Sequence, residues 1–265
     1  MRLIADTHVH IYPCYDVKLA LDTLRTNLTH LDEKAICMAF LAERSDCHFF
    51  DDLKNNTAKT SGSELKIDYL DNALLLQEKG YPDLFLFPGR QIITHEKIEI
   101  LSLTVDLKIE DGLAAQEVID LIRQNDGLPV LSWAPGKWFF QRKKVIEKLL
   151  ASNKPGSLLL GDTTLRPTCW LQPLLMKKAV RKGFTVINGS DPLPFAGEEQ
   201  VMGRYGVSID SDFDEQNPVE SIRSLLVQPG LKLPFVGRRG DLFSTLQRLF
   251  KNARAKTKNE PKEQA

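Results

Sequence analysis

What the chain has little of narrows the field first. Four cysteines occur among its 265 residues (Cys14, Cys37, Cys47 and Cys169), and none forms a Cys-x-x-Cys pair. A zinc knuckle or a thioredoxin-like motif is therefore not expected, and reduced thiols are. No phosphate-binding loop or dinucleotide fingerprint is present. Neither sign of charge dominates: Lys+Arg and Asp+Glu both number 35, so bulk charge implies neither nucleic acid nor an anionic membrane. No apolar run approaches a membrane span. Met1-Arg2-Leu3-Ile4-Ala5-Asp6 meets an acid before an apolar core region forms, so no secretory signal is expected and a cytoplasmic location is. Histidine is scarce: five in all, with none after His95.

Two of those five stand together. Asp6-Thr7-His8-Val9-His10 closes the first apolar run, Leu3-Ile4-Ala5. Alternate residues of a strand share a face, so His8 and His10 point the same way. Two converging neutral imidazoles suit zinc, manganese or iron. Two partly buried histidines hydrogen-bonded at a strand end would leave the same pattern.

Further along, Asp16 is placed to cap a helix with Val17, Leu21, Leu24 and Leu28 on its apolar face, and Lys34 to Leu41 reads as a buried strand. Strand, helix and strand make a βαβ unit. The polar stretch 42–64 follows, and Leu65 to Leu76 favours a hairpin turning at Asp71-Asn72 over a helix. Strands are expected at Leu84–Phe87, Ile98–Leu103, Leu128–Trp133, Leu158–Asp162 and Phe184–Asn188. Helices are expected at Ala114–Asn125, Gln141–Ala151 and Leu171–Lys182, with another starting at Asn217-Pro218. This alternation predicts an α/β chain: a parallel barrel of one domain over 1–236. Residues 237–265 then form a basic amphipathic helix and a disordered tail. Leu242, Leu246, Leu249 and Phe250 are expected to pack that helix, with Asp241 as its N-cap. The helix could cap the barrel or dock an acidic partner or membrane surface.

At this point the sequence resembles the PHP family, the polymerase and histidinol phosphatase metal-dependent phosphoesterases. Asp6-Thr7-His8-Val9-His10 is similar to its first motif, and Pro88-Gly89-Arg90 with Glu99-Ile100-Leu101-Ser102-Leu103 to its middle segment. Leu128 to Pro135 resembles the strand that ends in His-Pro, and Gly189-Ser190-Asp191 the start of the final Gly-Ser-Asp-x-His. The amidohydrolases, which also begin with His-x-His, are the second choice. The resemblance implies a distorted (β/α)7 TIM-like barrel and a metal cluster that activates water against a phosphate ester.

Most ligand positions of that pattern are replaced here. Leu41-Ala42-Glu43-Arg44 stands where Asp-His is usual, Arg90 where Glu is usual, and Glu99 and Ala134 where histidines are usual. His8, His10 and Asp191 remain. A guanidinium repels cations, so Arg90 opposes a nearby metal. Two functions follow. One is a phosphoesterase with at most one divalent ion, zinc or manganese, on His8, His10, Asp191 and Glu99. In it Asp191 could act as general base, and Arg90 holds a small phosphorylated or anionic substrate. The other is a catalytically degenerate barrel serving as a scaffold, in which Arg90, Arg44 or Arg166 holds an anion or partner. The loop Pro135 to Lys144 interleaves aromatic and basic residues, as a base-stacking surface can, but nucleic acid is not the expected partner.

Overall fold

The structure, a computed structural model, describes residues 1–58 and 64–259. β1 (Arg2–Val9) is almost wholly buried, as a strand covered on both faces must be. Asp16 caps α1 (Val17–Leu31), accepting the Leu19 N–H at 3.0 Å. β2 (Ile36–Leu41) returns parallel to β1 and leads into the short α2 (Phe49–Lys54). The hairpin of β3 (Lys66–Leu70) and β4 (Ala73–Gln77) is present, and Asp71 and Asn72 at its turn take φ of 44° and 62°. That mirror-image turn matches the twist of its strands.

Next come β5 (Leu84–Phe87), β6 (Gly89–Ile93), β7 (Glu99–Leu103), α3 (Ala115–Gln124) and β8 (Leu128–Ser132). They are followed by α4 (Gln141–Ser152), β9 (Leu159–Thr163), α5 (Leu174–Arg181) and β10 (Val186–Gly189). After a 3-10 turn at Glu198–Val201 the chain adds β11 (Tyr205–Asp210), α6 (Pro218–Leu226), β12 (Phe235–Gly237) and α7 (Leu242–Asn259).

These strands form two mixed sheets, ordered β12-β11-β1-β2-β5-β4-β3 and β10-β9-β8-β7-β6. The expected (β/α)7 TIM-like barrel is therefore corrected: neither sheet closes on itself. The reason lies in the middle of the chain. Parallel neighbours need a crossover of about a dozen residues. Only residues 94–98 separate β6 from β7, too few for such a crossover, so these two run antiparallel; β8 then pairs antiparallel with β7 as well, although α3 lies in the link between them. Gly89 marks the passage from one sheet to the other. A Cβ there would come within 2.2 Å of the Leu41 carbonyl oxygen and 2.7 Å of that of Ser102.

The sheets meet at two seams. At one, the Glu43 N–H donates to Gly89 and the Gln91 N–H to the Glu43 carbonyl. At the other, the Asp191 N–H donates to the His8 carbonyl and the Thr7 hydroxyl to that of Asn188. Leu3, Phe40, Phe87, Leu103, Val130, Leu159 and Ile187 fill the space between the sheets. α1 covers the outer face of the first sheet, and α3, α4 and α5 that of the second. No helix among the described residues is long and apolar enough to cross a membrane.

The last helix departs from expectation in its packing. Asp241 does cap it, through the Ser244 N–H at 2.8 Å. Yet Leu242, Leu246 and Phe250, expected to pack inward, are exposed along with Phe243. The buried side is polar instead. Thr245 is buried, and Arg248 donates to the carboxylate of buried Glu198 at 2.8–3.0 Å and to the Thr164 hydroxyl at 2.8 Å. A tail is expected from residue 257, but the helix continues through Asn259, and residues 260–265 lie outside the described residues. Arg248→Ala should lower stability by about 3 kcal/mol, because it leaves Glu198 buried and unpaired. Leu246→Ser should change it by less than about 0.5 kcal/mol. Urea unfolding of both variants checks this; equal losses would mean that the apolar face carries the packing.

Candidate metal centre

The site begins with an acid buried in an apolar strand. Asp6 Oδ1 accepts the N–H of His8 at 3.2 Å and of Ser190 at 2.8 Å, and Oδ2 that of Gly203 at 2.8 Å. Burial pushes its pKa up to about 6, with the Ser190, Gly203 and His8 N–H groups working in the opposite direction. One carboxylate thus ties the end of β1 to the loop after β10 and to the turn before β11. Gly189 completes the approach, since a Cβ there would lie 2.4 Å from the His8 N and Cβ. The chain then turns at Asp191, whose φ of 50° is uncommon for a residue other than glycine.

As a result His8, His10 and Asp191 converge, and among the described residues they form one group able to hold a metal ion. The two Nε2 atoms are 3.0 Å apart, and each lies 3.7 Å from Asp191 Oδ1. Donor atoms about 2.1 Å from a common ion sit about 3–3.5 Å apart at tetrahedral or octahedral angles, so the triangle fits a single divalent ion within a few tenths of an ångström. Burial first, then His8 and Arg44, hold the His10 pKa well below the ordinary imidazole value. His10 is therefore neutral, with a lone pair to offer. Gln91, which the sequence reading missed, places its Oε1 3.3 Å from His8 Nε2. Among the described residues the Nδ1 of His8 has no hydrogen-bond partner, so the acceptor that usually orients a ligating imidazole is missing there, whereas the Ala42 main chain lies against His10. His8 and His10 are each 2% exposed and Asp191 8%, so the group reaches solvent chiefly on the Asp191 side.

The other residues singled out in the sequence lie elsewhere. Glu99 is not in the group, and its carboxylate pairs with Lys137 at 3.3 Å. Arg90 is buried with its donors committed: Nε to Asp106 at 2.7 Å, and Nη1 to the carbonyls of Cys47 at 2.6 Å and Arg44 at 3.3 Å. Arg166 grips Asp162 through two bonds, at 2.7 and 2.5 Å, and Tyr205 donates to the same carboxylate. Arg44 pairs with Asp46 at 3.1 Å and remains half-exposed over the Tyr12 ring. Trp138 of the aromatic-basic loop is buried and donates to the Ser132 carbonyl, while Phe140 is exposed.

Glu43 has a structural task. It accepts the N–H groups of Phe49 and Phe50 at the start of α2, where His48 provides no side-chain cap. Burial pushes its pKa up to about 7, against the pull of Arg90 and those two N–H groups.

No protein-family model and no curated protein matches this sequence. Solved structures do share the fold. PsfC from Pseudomonas syringae superposes with a TM-score of 0.56 at 11% identity, over 97% of this chain and 98% of that one. The lesion-specific endonuclease PfuEndoQ from Pyrococcus furiosus superposes with a TM-score of 0.53 at 14% identity, over 88% of this chain and 58% of that one. At these identities the likeness is one of fold.

The raised carboxyl pKa of Glu43 gives a pH signature. Between about pH 4.5 and 7 the folded protein holds a proton that the unfolded chain has lost, so this contribution to stability falls as pH rises. Glu43→Gln keeps the acceptor oxygen for Phe49 and Phe50 and removes the titration. The variant should match the parent near pH 5 and exceed it near pH 8 by about 2–3 kcal/mol, at about 1.4 kcal/mol per pKa unit. Denaturant midpoints across that range test this, and parallel curves would refute it.

Proposed function

We propose that this chain is a PHP-like hydrolase that holds one divalent ion on His8, His10 and Asp191 and acts on phosphate esters. The observation that carries the reading is the convergence of two imidazole nitrogens and a carboxylate oxygen within 3.0–3.7 Å at the end of β1. The family-like first and last motifs supply all three groups. A bound divalent ion would supply Lewis acidity toward a phosphoryl oxygen and a bound water of lowered pKa.

The chain's own residues set the rest. His10 approaches as a neutral donor, with His8 beside it, both from the end of β1. The Asp191 carboxylate, on the more open side, can take a proton from an attacking water. Arg90 does not hold the substrate in this reading, because Asp106 and two carbonyls occupy its guanidinium. Arg44 is the cation left within reach, near His10 and only half-covered. Zinc and manganese are both retained as candidates. Nucleic acid is restored to the substrate classes, because one protein of this fold is a lesion-specific endonuclease. A scaffold without metal is the competing reading, favoured by the Nδ1 of His8, which has no partner among the described residues.

Elemental analysis after dialysis against zinc or manganese should find one ion per chain, and less than a tenth of that in His8→Ala. Hydrolysis of a phosphate monoester, a phosphodiester and a lesion-bearing oligonucleotide should then depend on the added metal and fall at least a hundredfold in Asp191→Asn. That loss corresponds to about 2.7 kcal/mol of transition-state stabilisation. No ion bound at millimolar metal would leave the scaffold reading; two or more would overturn the single-ion site.

A further inference from the structure

A second cluster of charge lies at the edge of the first sheet. The β11–β12 ladder ends at the Tyr205–Gly237 pair. One step beyond it Arg204 and Arg238 stand side by side, joined by the Arg238 N–H to the Arg204 carbonyl at 2.9 Å. Like charges directly across two strands repel. Neither guanidinium has an ion pair or a hydrogen bond among the described residues. Both face a cavity of about 600 Å³ that Arg239, Arg248, Asn27 and His30 also line, and no carboxylate lines it. In a chain with equal numbers of acids and bases, a cavity with four arginines and no acid is a local imbalance.

The arginines divide by role. Arg239 Nη1 donates to the carbonyls of Arg166, Pro167 and Trp170 at 3.2–3.4 Å, and Arg248 is bound to Glu198. These two shape the wall. Arg204 and Arg238 keep all their side-chain donors, and an anion between them would turn the repulsion into attraction. The planar fork of a guanidinium matches the oxygens of a phosphate through paired hydrogen bonds. The volume is that of a small-molecule pocket. Two free cations converging on one hollow, rather than a row of them along a surface, suit a compact ligand better than a polymer backbone.

We propose that the cavity between the C-terminal half of α1 and the β11–β12 edge binds a phosphate-bearing small molecule through Arg204 and Arg238, with His30 as a further donor. None of His8, His10 and Asp191 lines the cavity, and the proposal does not rest on the hydrolase reading.

Titration calorimetry of the full chain in EDTA, with pyrophosphate and then inorganic phosphate as probes, tests this. Pyrophosphate should bind, and the double variant Arg204→Gln/Arg238→Gln should weaken it at least tenfold, or about 1.4 kcal/mol. Without ligand that variant should melt at or above the parent temperature, since it removes a repulsion; a lower melting temperature would make the arginines structural and overturn the proposal. No binding of either probe at millimolar concentration would overturn it, as would undiminished binding by the double variant. A short oligonucleotide that displaces pyrophosphate and binds more tightly would overturn the small-molecule assignment.

Discussion

The arrangement depends on a carboxylate where an apolar residue would be ordinary. Asp6 sits in the strand Leu3-Ile4-Ala5-Asp6, wholly buried, and gathers three main-chain N–H groups from segments nearly two hundred positions apart in the chain. An apolar side chain there would fill the volume but leave those N–H groups without acceptors, each costing about 1–3 kcal/mol. A larger polar one would push β10 away from β1. Burial disfavours the ionised carboxylate, and the three N–H groups offset part of that cost. The same tie sets the distance between His8 and Asp191, so the order of the candidate metal centre and the cohesion of the seam have one cause.

Much of the fold was legible because its elements are local. Asp16 before α1, Asp71-Asn72 at the hairpin and Pro218 opening α6 each act within a turn of themselves, and each appears where the residue type implies. The closure of the sheet was not legible, because it depends on pairing between distant strands. β11 supplies one such pair, running antiparallel to β1, and nothing in Tyr205–Asp210 marks its partner or direction. The short links around β6 did carry a signal: five residues cannot hold a crossover helix. Loop length was the better evidence there, and alternation of element types the weaker.

The candidate site was half legible for a related reason. His8, His10 and Asp191 are chemically distinctive and belong to short motifs, so their meeting could be foreseen. The positions that depart from the family pattern could not be interpreted from residue type alone. Arg90 reads as an anion holder in sequence, yet Asp106, sixteen residues on, occupies it. Glu43 stands in the stretch where the family pattern has Asp-His, yet it caps α2. Both are struts between the loop after β2 and the second sheet. A charged side chain that is buried needs a partner, and main-chain groups at a helix start or loop are a near source. Gln91 went unnoticed because an uncharged amide gives no sequence signal beyond its place on β6.

The last helix shows how a polar contact can reverse an amphipathic reading. Periodicity identified the apolar stripe of α7 correctly, but stripe and buried face are not the same thing. Arg248 reaches Glu198, Thr164 and the carbonyl of Asp191, the last at 3.2 Å, and those contacts turn the polar side of the helix inward. Glu198 in turn accepts the Leu193 N–H at 3.1 Å, two residues beyond Asp191. The helix is therefore attached to the loop that carries the candidate ligand, through groups that must stay paired because they are buried. Its apolar stripe is left facing solvent as a consequence of that anchoring, and α7 holds the turn at Asp191 in two ways, directly through Arg248 and by way of Glu198.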